Sequence, residues 1–536
     1  MKQSAFSSRP RYAGALLFAC ILLLTGRRLD AGVTIITHGF EADSSYPTWV
    51  TAMADAIPRY PGFPGTNFTT YRLTMSYNGT AYIISSTRTN GAPPSATDSG
   101  EIIVELDWSQ ISGDVFDDYA STFGVGFAAS LALAQTNLIS ELNGHALTEF
   151  PVHLIGHSRG GSLVSEISRH LGTNGVWVDH LTTLDPYPVN NDGNSNFPAT
   201  ITDAPAVNTY ETVLFADNYW QDLGAGYGFG DPDGERVNGA YVRQLTSLSG
   251  GYDNDHSNVH LWYHGTVVLT TPANDTGASI TASERNSWWV AYEQKGTNAG
   301  FEYSLIGGAD RLSTDQPLGT GHSAIIDGYN QMWDFGAGTL NNRKALGTNN
   351  GTWASLIKFN RLETNQVAQG QSIPLKYYYQ WARPATSNAT VSIYLDDDLN
   401  ALNSNQKLLL QMNVPGSSTN VNAITFSAPL FATNAAPGWH SLLAVIDNGT
   451  RTRYLYAPEM VQVIQPLVLD IAQISSGQFR IGVNGQANET IVLESSFDLT
   501  SWQSVATNTL TATRWIYTNN AAATTSKLFY RARLSN

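Results

Sequence analysis

The sequence contains one cysteine in 536 residues, Cys20, and it lies inside an N-terminal apolar run. Removal of that run leaves no disulfide, no thiolate metal centre and no cysteine nucleophile. Positive charge is scarce as well: Lys and Arg total 29 against 44 Asp and Glu, only seven of them Lys, for a formal net charge of −15. A chain so charged presents no basic field to a polyanion, which argues against nucleic acid as a partner. Charged residues make up only 14% of the chain, and Asn, Ser, Thr and Gly carry its polarity, a balance common among exported β-rich proteins. After the N-terminus no run of 18 apolar residues occurs, so no helical membrane span is expected. What is present is 42% hydrophobic and 11% aromatic residues. That supplies packed cores for two to four domains and excludes disorder as the main state.

Residues 1–31 have the layout of a secretory signal peptide: Lys2, Arg9 and Arg11, then the apolar run Ala13 to Leu24, then polar residues ending at Ala31 and Gly32. A run of that length does not span a bilayer. The expected location is secreted or at the cell surface. Arg27 and Arg28 are unusual before a cleavage site and leave an uncleaved anchor as the alternative.

Three regions follow. From residue 32 to 350 apolar strand-like runs alternate with helical stretches, which is the α/β pattern. Strands are expected at Val33 to Thr37, Ile102 to Trp108, Val152 to Ile155, His180 to Leu184, Thr209 to Ala216 and Ala240 to Leu245. Helices are expected at Thr48 to Ile57, Asp117 to Leu142 and Arg159 to Leu171, with an antiparallel hairpin or lid-like insertion from Thr69 to Ser86. Right-handed crossovers would join these strands into a mostly parallel sheet. Across 353–465 the helical period vanishes, and seven short strands between Ile373 and Val463 suggest an immunoglobulin-like sandwich. Residues 467–536 continue all-β. Their Leu493-Glu494-Ser495-Ser496, Asp498-Leu499, Trp502 and Phe529-Tyr530-Arg531-Ala532-Arg533 resemble a C-terminal module of many exported bacterial proteins.

Gly156-His157-Ser158-Arg159-Gly160 fits G-x-S-x-G. It follows a buried strand and opens a helix, the context that lifts a serine hydroxyl above a sheet at a positively polarised helix end. A neutral serine needs a base, and the base needs an orienting carboxylate, in the chain order Ser, acid, His. His256 stands after a strand and a Gly-Asp-Asn loop, just before an aromatic helix, and is the preferred base; His260 and His322 are alternatives. Asp185 and Asp217 each end a predicted strand and compete as the acid. The oxyanion hole requires two backbone amides, assigned to Arg159 and to Phe40 in the loop His38-Gly39-Phe40, with His38 itself structural.

Together, Val33 to Phe40, Gly156 to Gly160, Leu184-Asp185-Pro186 and His256 to Tyr263 resemble the triacylglycerol lipases of the α/β-hydrolase superfamily, pancreatic-type lipases especially. The resemblance implies an α/β-hydrolase domain and a Ser158-Asp185-His256 triad. It favours Asp185, which follows the nucleophile by 27 positions within a Leu-Asp-Pro run, and it matches Trp262-Tyr263 six positions after His256. The match runs through short motifs over roughly residues 33–265. The chain departs from the family in lacking disulfides and in carrying Arg159 after the nucleophile, a charge that argues against a purely lipidic acyl pocket.

The expected activity is hydrolysis of carboxylic esters, long-chain first and short soluble ones second, with no cofactor. The alternative is a non-catalytic exported protein on a hydrolase-like scaffold. Aromatics Tyr219, Trp220, Tyr227 and Phe229 among glycines suggest a lid over the site. The β modules suit attachment to a polymer or cell surface, and nothing in the sequence specifies oligomeric state. Asp396-Asp397-Asp398 followed by Asn400 offers oxygen ligands to Ca2+, yet lacks the glycine and distal Glu of an EF-hand, so a solvated turn is the preferred reading.

Overall fold

The structure is a computed structural model. It describes residues 32–60, 67–188, 207–224, 232–269, 275–291, 300–303, 343–347, 351, 353–362, 365–381, 387–416, 421–431, 433–475, 478–519 and 527–535. The signal-like segment, His322, Tyr227, Phe229 and residues 189–206 lie outside them.

Eight strands of the described residues form one sheet: β1 Val33–Thr37, β2 Thr69–Tyr77, β3 Tyr82–Asn90, β4 Ile102–Asp107, β5 Val152–His157, β6 Val178–Leu184, β7 Val213–Trp220 and β8 Tyr241–Gln244. Their order is β3-β2-β4-β1-β5-β6-β7-β8, parallel throughout except for the β2–β3 hairpin. Residues 69–86 thus enter the sheet rather than forming a separate insertion. β1, β4, β5 and β6 are buried along their whole length, as strands covered on both faces must be.

The helices are α1 Thr48–Ala56, α2 Ser109–Ser112, α3 Thr122–Leu133, α4 Arg159–Thr173, α5 Asp255–Val267 and α6 Ala282–Ala291. Val125, Ala129 and Leu133 of α3 and Leu163, Val164 and Ile167 of α4 pack with Ile35, Val104 and Leu154 on one face. Val50 and Met53 of α1, Val259 and Trp262 of α5 and Trp288 of α6 pack with Ile36, Ile155 and Leu184 on the other. The long helix expected over 117–142 is broken. Ser121 accepts from Gly124 N at 3.2 Å and so caps α3, and only single 3-10 turns occur at Asp118–Ala120 and Ser140–Leu142.

The next strands are β9 Ala354–Arg361, β10 Gln366–Ala368, β11 Ser372–Trp381, β12 Ala389–Asp396, β13 Lys407–Val414, β14 Asn422–Pro429, β15 Gly438–Asp447, β16 Thr452–Tyr456 and β17 Val461–Ile464. They form two sheets, β14-β11-β9 and β10-β17-β15-β12-β13 with β16 on β15, closed over one core that includes Phe359, Tyr377, Trp381, Ile393 and Leu442. The last six, β18 Val468–Ser475, β19 Gln478–Asn484, β20 Thr490–Ser496, β21 Gln503–Thr509, β22 Arg514–Asn519 and β23 Phe529–Leu534, make two three-stranded sheets over a small core of Ile481, Val483, Ile491, Leu493 and Leu510.

The sandwich is bolted to the α/β unit. Arg453 of β16 is fully buried and donates to the carbonyls of Thr148 at 3.1 Å and Trp177 at 3.2 Å, to that of Phe150, and to the Asp179 carboxylate. Trp177 Nε1 donates in turn to Gln380 Oε1 at 2.7 Å. Among the described residues no helix is long and apolar enough to cross a membrane.

Candidate active site

The register of the sheet sets the site. Thr37 is opposite Gly156, His157 opposite Leu184, and Leu184 opposite Tyr219, so β1, β5, β6 and β7 end almost level. The residues that follow, His38 to Phe40, Ser158, Asp185 and Gln221, therefore collect at one rim.

Ser158 has φ 59° and ψ −131°, a conformation L residues avoid, in the turn from β5 into α4. Backbone bonds hold it there: its N–H donates to Leu184 O at 3.0 Å, and its carbonyl accepts from Gly161 N at 2.9 Å and Tyr187 N at 3.1 Å. The flanking glycines are steric requirements. A Cβ on Gly156 would sit 2.2 Å from Gly160 O, and one on Gly160 would sit 2.4 Å from His38 O. Gly39 lies against Ser158 itself, since a Cβ there would meet Ser158 Cβ at 2.6 Å, Ser158 Oγ at 2.9 Å and Arg159 N at 3.0 Å. Arg159 opens α4, and first-turn amides of a helix have no partner within it. Arg159 N would lie 3.0 Å from a Gly39 Cβ, and Phe40, which follows Gly39, lines the same cavity as Arg159.

The Arg159 side chain does not bring charge into the pocket. It is buried, donates to Ser112 O at 2.6 Å and Ala120 O at 2.7 Å, and packs over the Trp108 ring at 5.1 Å. The objection it raised to an apolar pocket is removed.

His256 lies in the first turn of α5, whose cap is Asn254 accepting from Ser257 N at 2.7 Å. Its Nδ1 donates to Asp185 Oδ2 at 2.6 Å, which makes Nε2 the proton acceptor. Asp185 is fully buried and also accepts from Gln221, from the backbone N–H at 2.8 Å and from Nε2 at 2.9 Å. Ser158 and His256 line the same cavity of about 160 Å³, with Gly39, Phe40, Glu41, Pro47, Trp49, His157, Arg159, Tyr187 and Pro232.

The rival acid is committed elsewhere. Asp217 is buried within β7 and accepts from His180 Nε2 at 2.8 Å, Thr182 Oγ1 at 2.6 Å and the Tyr219 hydroxyl at 2.9 Å. His260, the alternative base, stacks on Trp49 at 4.2 Å. Burial, then the nearby imidazoles, holds its pKa well below the usual value. Tyr219 and Trp220, assigned to a lid, are strand residues, and Tyr219 is fully buried against Trp262. His38, expected to be structural, donates from Nδ1 to Gly39 O at 3.1 Å and accepts at Nε2 from Trp108 N at 3.3 Å.

Three residues were not anticipated. Gln221 clamps Asp185, and Gly234 makes room for it, since a Cβ there would lie 2.1 Å from Asp185 Oδ1. His157 Nε2 donates to the backbone carbonyl of His256 at 2.9 Å, and burial above all keeps its ring neutral. Only His157, beside Ser158, carried a positional signal in the sequence. Among the described residues no three His, Cys, Asp or Glu side chains gather as a metal site.

No family model matches the chain, and no curated protein matches it. Solved structures that align in part include the CARDB domain of a Pyrococcus furiosus protein in complex with di-metal ions, at 9% identity over 21% of this chain and 89% of that one, with a TM-score of 0.15. Another is a beta-glucosidase from Listeria innocua in complex with isofagomine, at 13% identity over 22% of this chain and 16% of that one, with a TM-score of 0.16. Likenesses this slight carry no argument about the fold or the site.

Proposed function

We propose that the protein is a serine carboxylic-ester hydrolase working through an acyl-enzyme, built as an α/β-hydrolase domain with an immunoglobulin-like sandwich and a smaller β module. One observation carries the reading: a serine with φ 59° shares a cavity with an imidazole whose far nitrogen donates to a buried carboxylate at 2.6 Å. In this mechanism His256 Nε2 takes the Ser158 proton as Oγ attacks the ester carbonyl, and the Phe40 and Arg159 amides receive the oxyanion. The proton passes to the departing alcohol. A water activated by the same nitrogen then releases the acid and restores the hydroxyl. Asp185 holds the imidazole in the required tautomer throughout.

A cavity of about 160 Å³ is small beside the roughly 300–1,000 Å³ of pockets for drug-sized ligands. It is walled by Phe40, Pro47, Trp49, Tyr187 and Pro232. This favours short, uncharged acyl groups and reverses the order of substrates expected from the sequence. We also propose export, on the layout of residues 1–31.

The test is hydrolysis of p-nitrophenyl butyrate and palmitate by the wild type and Ser158→Ala, with fluorophosphonate labelling mapped to its residue. The expected result is faster turnover of butyrate, labelling at Ser158 and loss of both in the variant. Equal rates for the two proteins would instead favour the non-catalytic binding protein.

A further inference from the structure

Among the described residues that line the cavity, Glu41 is the one with an acidic side chain. Its backbone is pinned. The N–H donates to the Ser112 hydroxyl at 3.1 Å, and the carbonyl accepts from Ser44 N at 3.5 Å. Ser112 is tied in turn to the elbow that carries Ser158, because its own carbonyl accepts from the Arg159 guanidinium at 2.6 Å. Gly113 permits this close approach, since a Cβ there would meet Glu41 O at 2.5 Å. The position of Glu41 relative to Ser158 is thus fixed by the fold.

Its carboxyl, by contrast, has no donor. Among the described residues it makes one long contact, Oε1 to His38 Nδ1 at 3.7 Å, and that nitrogen already donates to Gly39 O at 3.1 Å. Yet the Glu41 side chain is only 24% exposed. A polar group covered to this extent without a hydrogen bond lowers stability, and no packing contact requires a carboxyl here. A local cost of that kind on the wall of a cavity points to use by a ligand. The basic side chains of the same wall are committed. His256 donates to Asp185, His157 donates to the His256 carbonyl, and the Arg159 guanidinium turns away to Ser112 and Ala120.

We propose, resting on the ester-hydrolase reading above, that Glu41 hydrogen-bonds a substrate hydroxyl, so that the preferred substrates are short esters bearing a free hydroxyl on the acyl or the alcohol part. Burial, with the charges of Asp43 and Asp107 adding to it, pushes Glu41 up to about 8. Near neutral pH it therefore keeps its proton. A protonated carboxyl both donates and accepts, and a hydroxyl answers both. An ammonium group would favour the ionised form, which these surroundings oppose, and an anionic substrate would face Asp43 and Asp107 as well. Because the side chain is partly exposed, water can take the place of an absent hydroxyl. The preference is then the net worth of one hydrogen bond, about five-fold in kcat/KM.

The test compares ethyl butyrate with ethyl 3-hydroxybutyrate, 2-hydroxyethyl butyrate and choline butyrate, using the purified full chain near neutral pH and acid release as the readout. Each kcat/KM is taken relative to ethyl butyrate and divided by the same ratio for alkaline hydrolysis, which removes intrinsic reactivity. The wild type should favour at least one hydroxy ester by about five-fold. Which one it favours tells whether the acyl or the alcohol part carries the hydroxyl. In Glu41→Leu the corrected ratio should fall to one or below, whatever happens to the absolute rates; should that variant not fold, Glu41→Ala takes its place. A wild-type ratio near one for both hydroxy esters would overturn the proposal. So would a ratio unchanged by the loss of the carboxyl, or a stronger preference for choline butyrate. Those outcomes leave Ser158-dependent hydrolysis standing. Its absence for every ester would instead sink the ester-hydrolase reading and this proposal with it.

Discussion

Exchanging each of two buried acids for its amide separates the proposed triad from an internal network of similar appearance. Asp185 Oδ2 accepts from His256 Nδ1 at 2.6 Å and from Gln221 Nε2 at 2.9 Å, while Oδ1 accepts from Gln221 N at 2.8 Å. In Asp185→Asn the new NH2 must face one of these donors. Turned toward His256, it drives the ring proton to Nε2, so that the imidazole presents a hydrogen to Ser158 instead of a lone pair. Tautomer reversal of this kind costs about four orders of magnitude in kcat, or about 5.4 kcal/mol. Turned the other way, it opposes the Gln221 amide inside a buried site and costs stability instead. Asp217→Asn breaks at least one of the bonds from His180, Thr182 and the Tyr219 hydroxyl, at 2.8, 2.6 and 2.9 Å. It should lose about 3 kcal/mol of stability while kcat stays within about three-fold of wild type. Steady-state hydrolysis of p-nitrophenyl butyrate with calorimetric unfolding reads both quantities. Full kcat in Asp185→Asn with no loss of stability, or a thousand-fold loss confined to Asp217→Asn, would refute the assignment.

Gly39→Ala should lose about 100-fold or more in kcat and lower the calorimetric Tm, because its Cβ would stand 2.6 Å from Ser158 Cβ, 2.9 Å from Ser158 Oγ and 3.0 Å from Arg159 N. Glu41, on the pocket wall, is pushed from 4.5 up to about 8 by burial and then by the charges of Asp43 and Asp107. Between those pH values the unfolded chain has lost a proton that the folded chain keeps, so stability falls as pH rises; the Tm advantage of Glu41→Gln should be absent near pH 4.5 and greatest near pH 8. Arg453→Met leaves Asp179 buried without its cation and should cost about 3–5 kcal/mol in urea unfolding, part of which the added Asp179→Asn exchange should restore.

Much of the sheet is legible because its central strands are buried on both faces and therefore read as unbroken apolar runs, as at Val33 to Thr37 and Val152 to Ile155. The hairpin was legible for the opposite reason. β3 alternates half-buried and exposed positions at the sheet edge, a period that no helix shares. The break in the 117–142 stretch was hidden because Ala and Leu favour a helix locally, while the Ser121 cap and the turns around it depend on geometry the composition does not reveal. The Arg453 bolt was hidden too. A lone arginine on a strand looks solvent-facing until the α/β unit closes over it.

The ambiguity between the acids has one physical source, an error of strand phase. Spacing placed a strand at Thr209 to Ala216, which put Asp217 at its end and Tyr219 and Trp220 in a lid. The strand runs from Val213 to Trp220, because Tyr210 instead bridges to Lys344 and a turn closes with Val213 N donating to Tyr210 O at 3.1 Å. That shift sets Asp217 opposite Thr182, inside the sheet, where a carboxylate must be satisfied by neighbours and is. It also carries Tyr219 into the core and leaves Gln221 at the true end of β7, level with Asp185. An amide at that place cannot be the acid but can hold one, which accounts for both of its bonds to Asp185. A residue's role at this rim therefore follows from where its strand stops, a property of register with neighbouring strands that no single stretch of sequence contains.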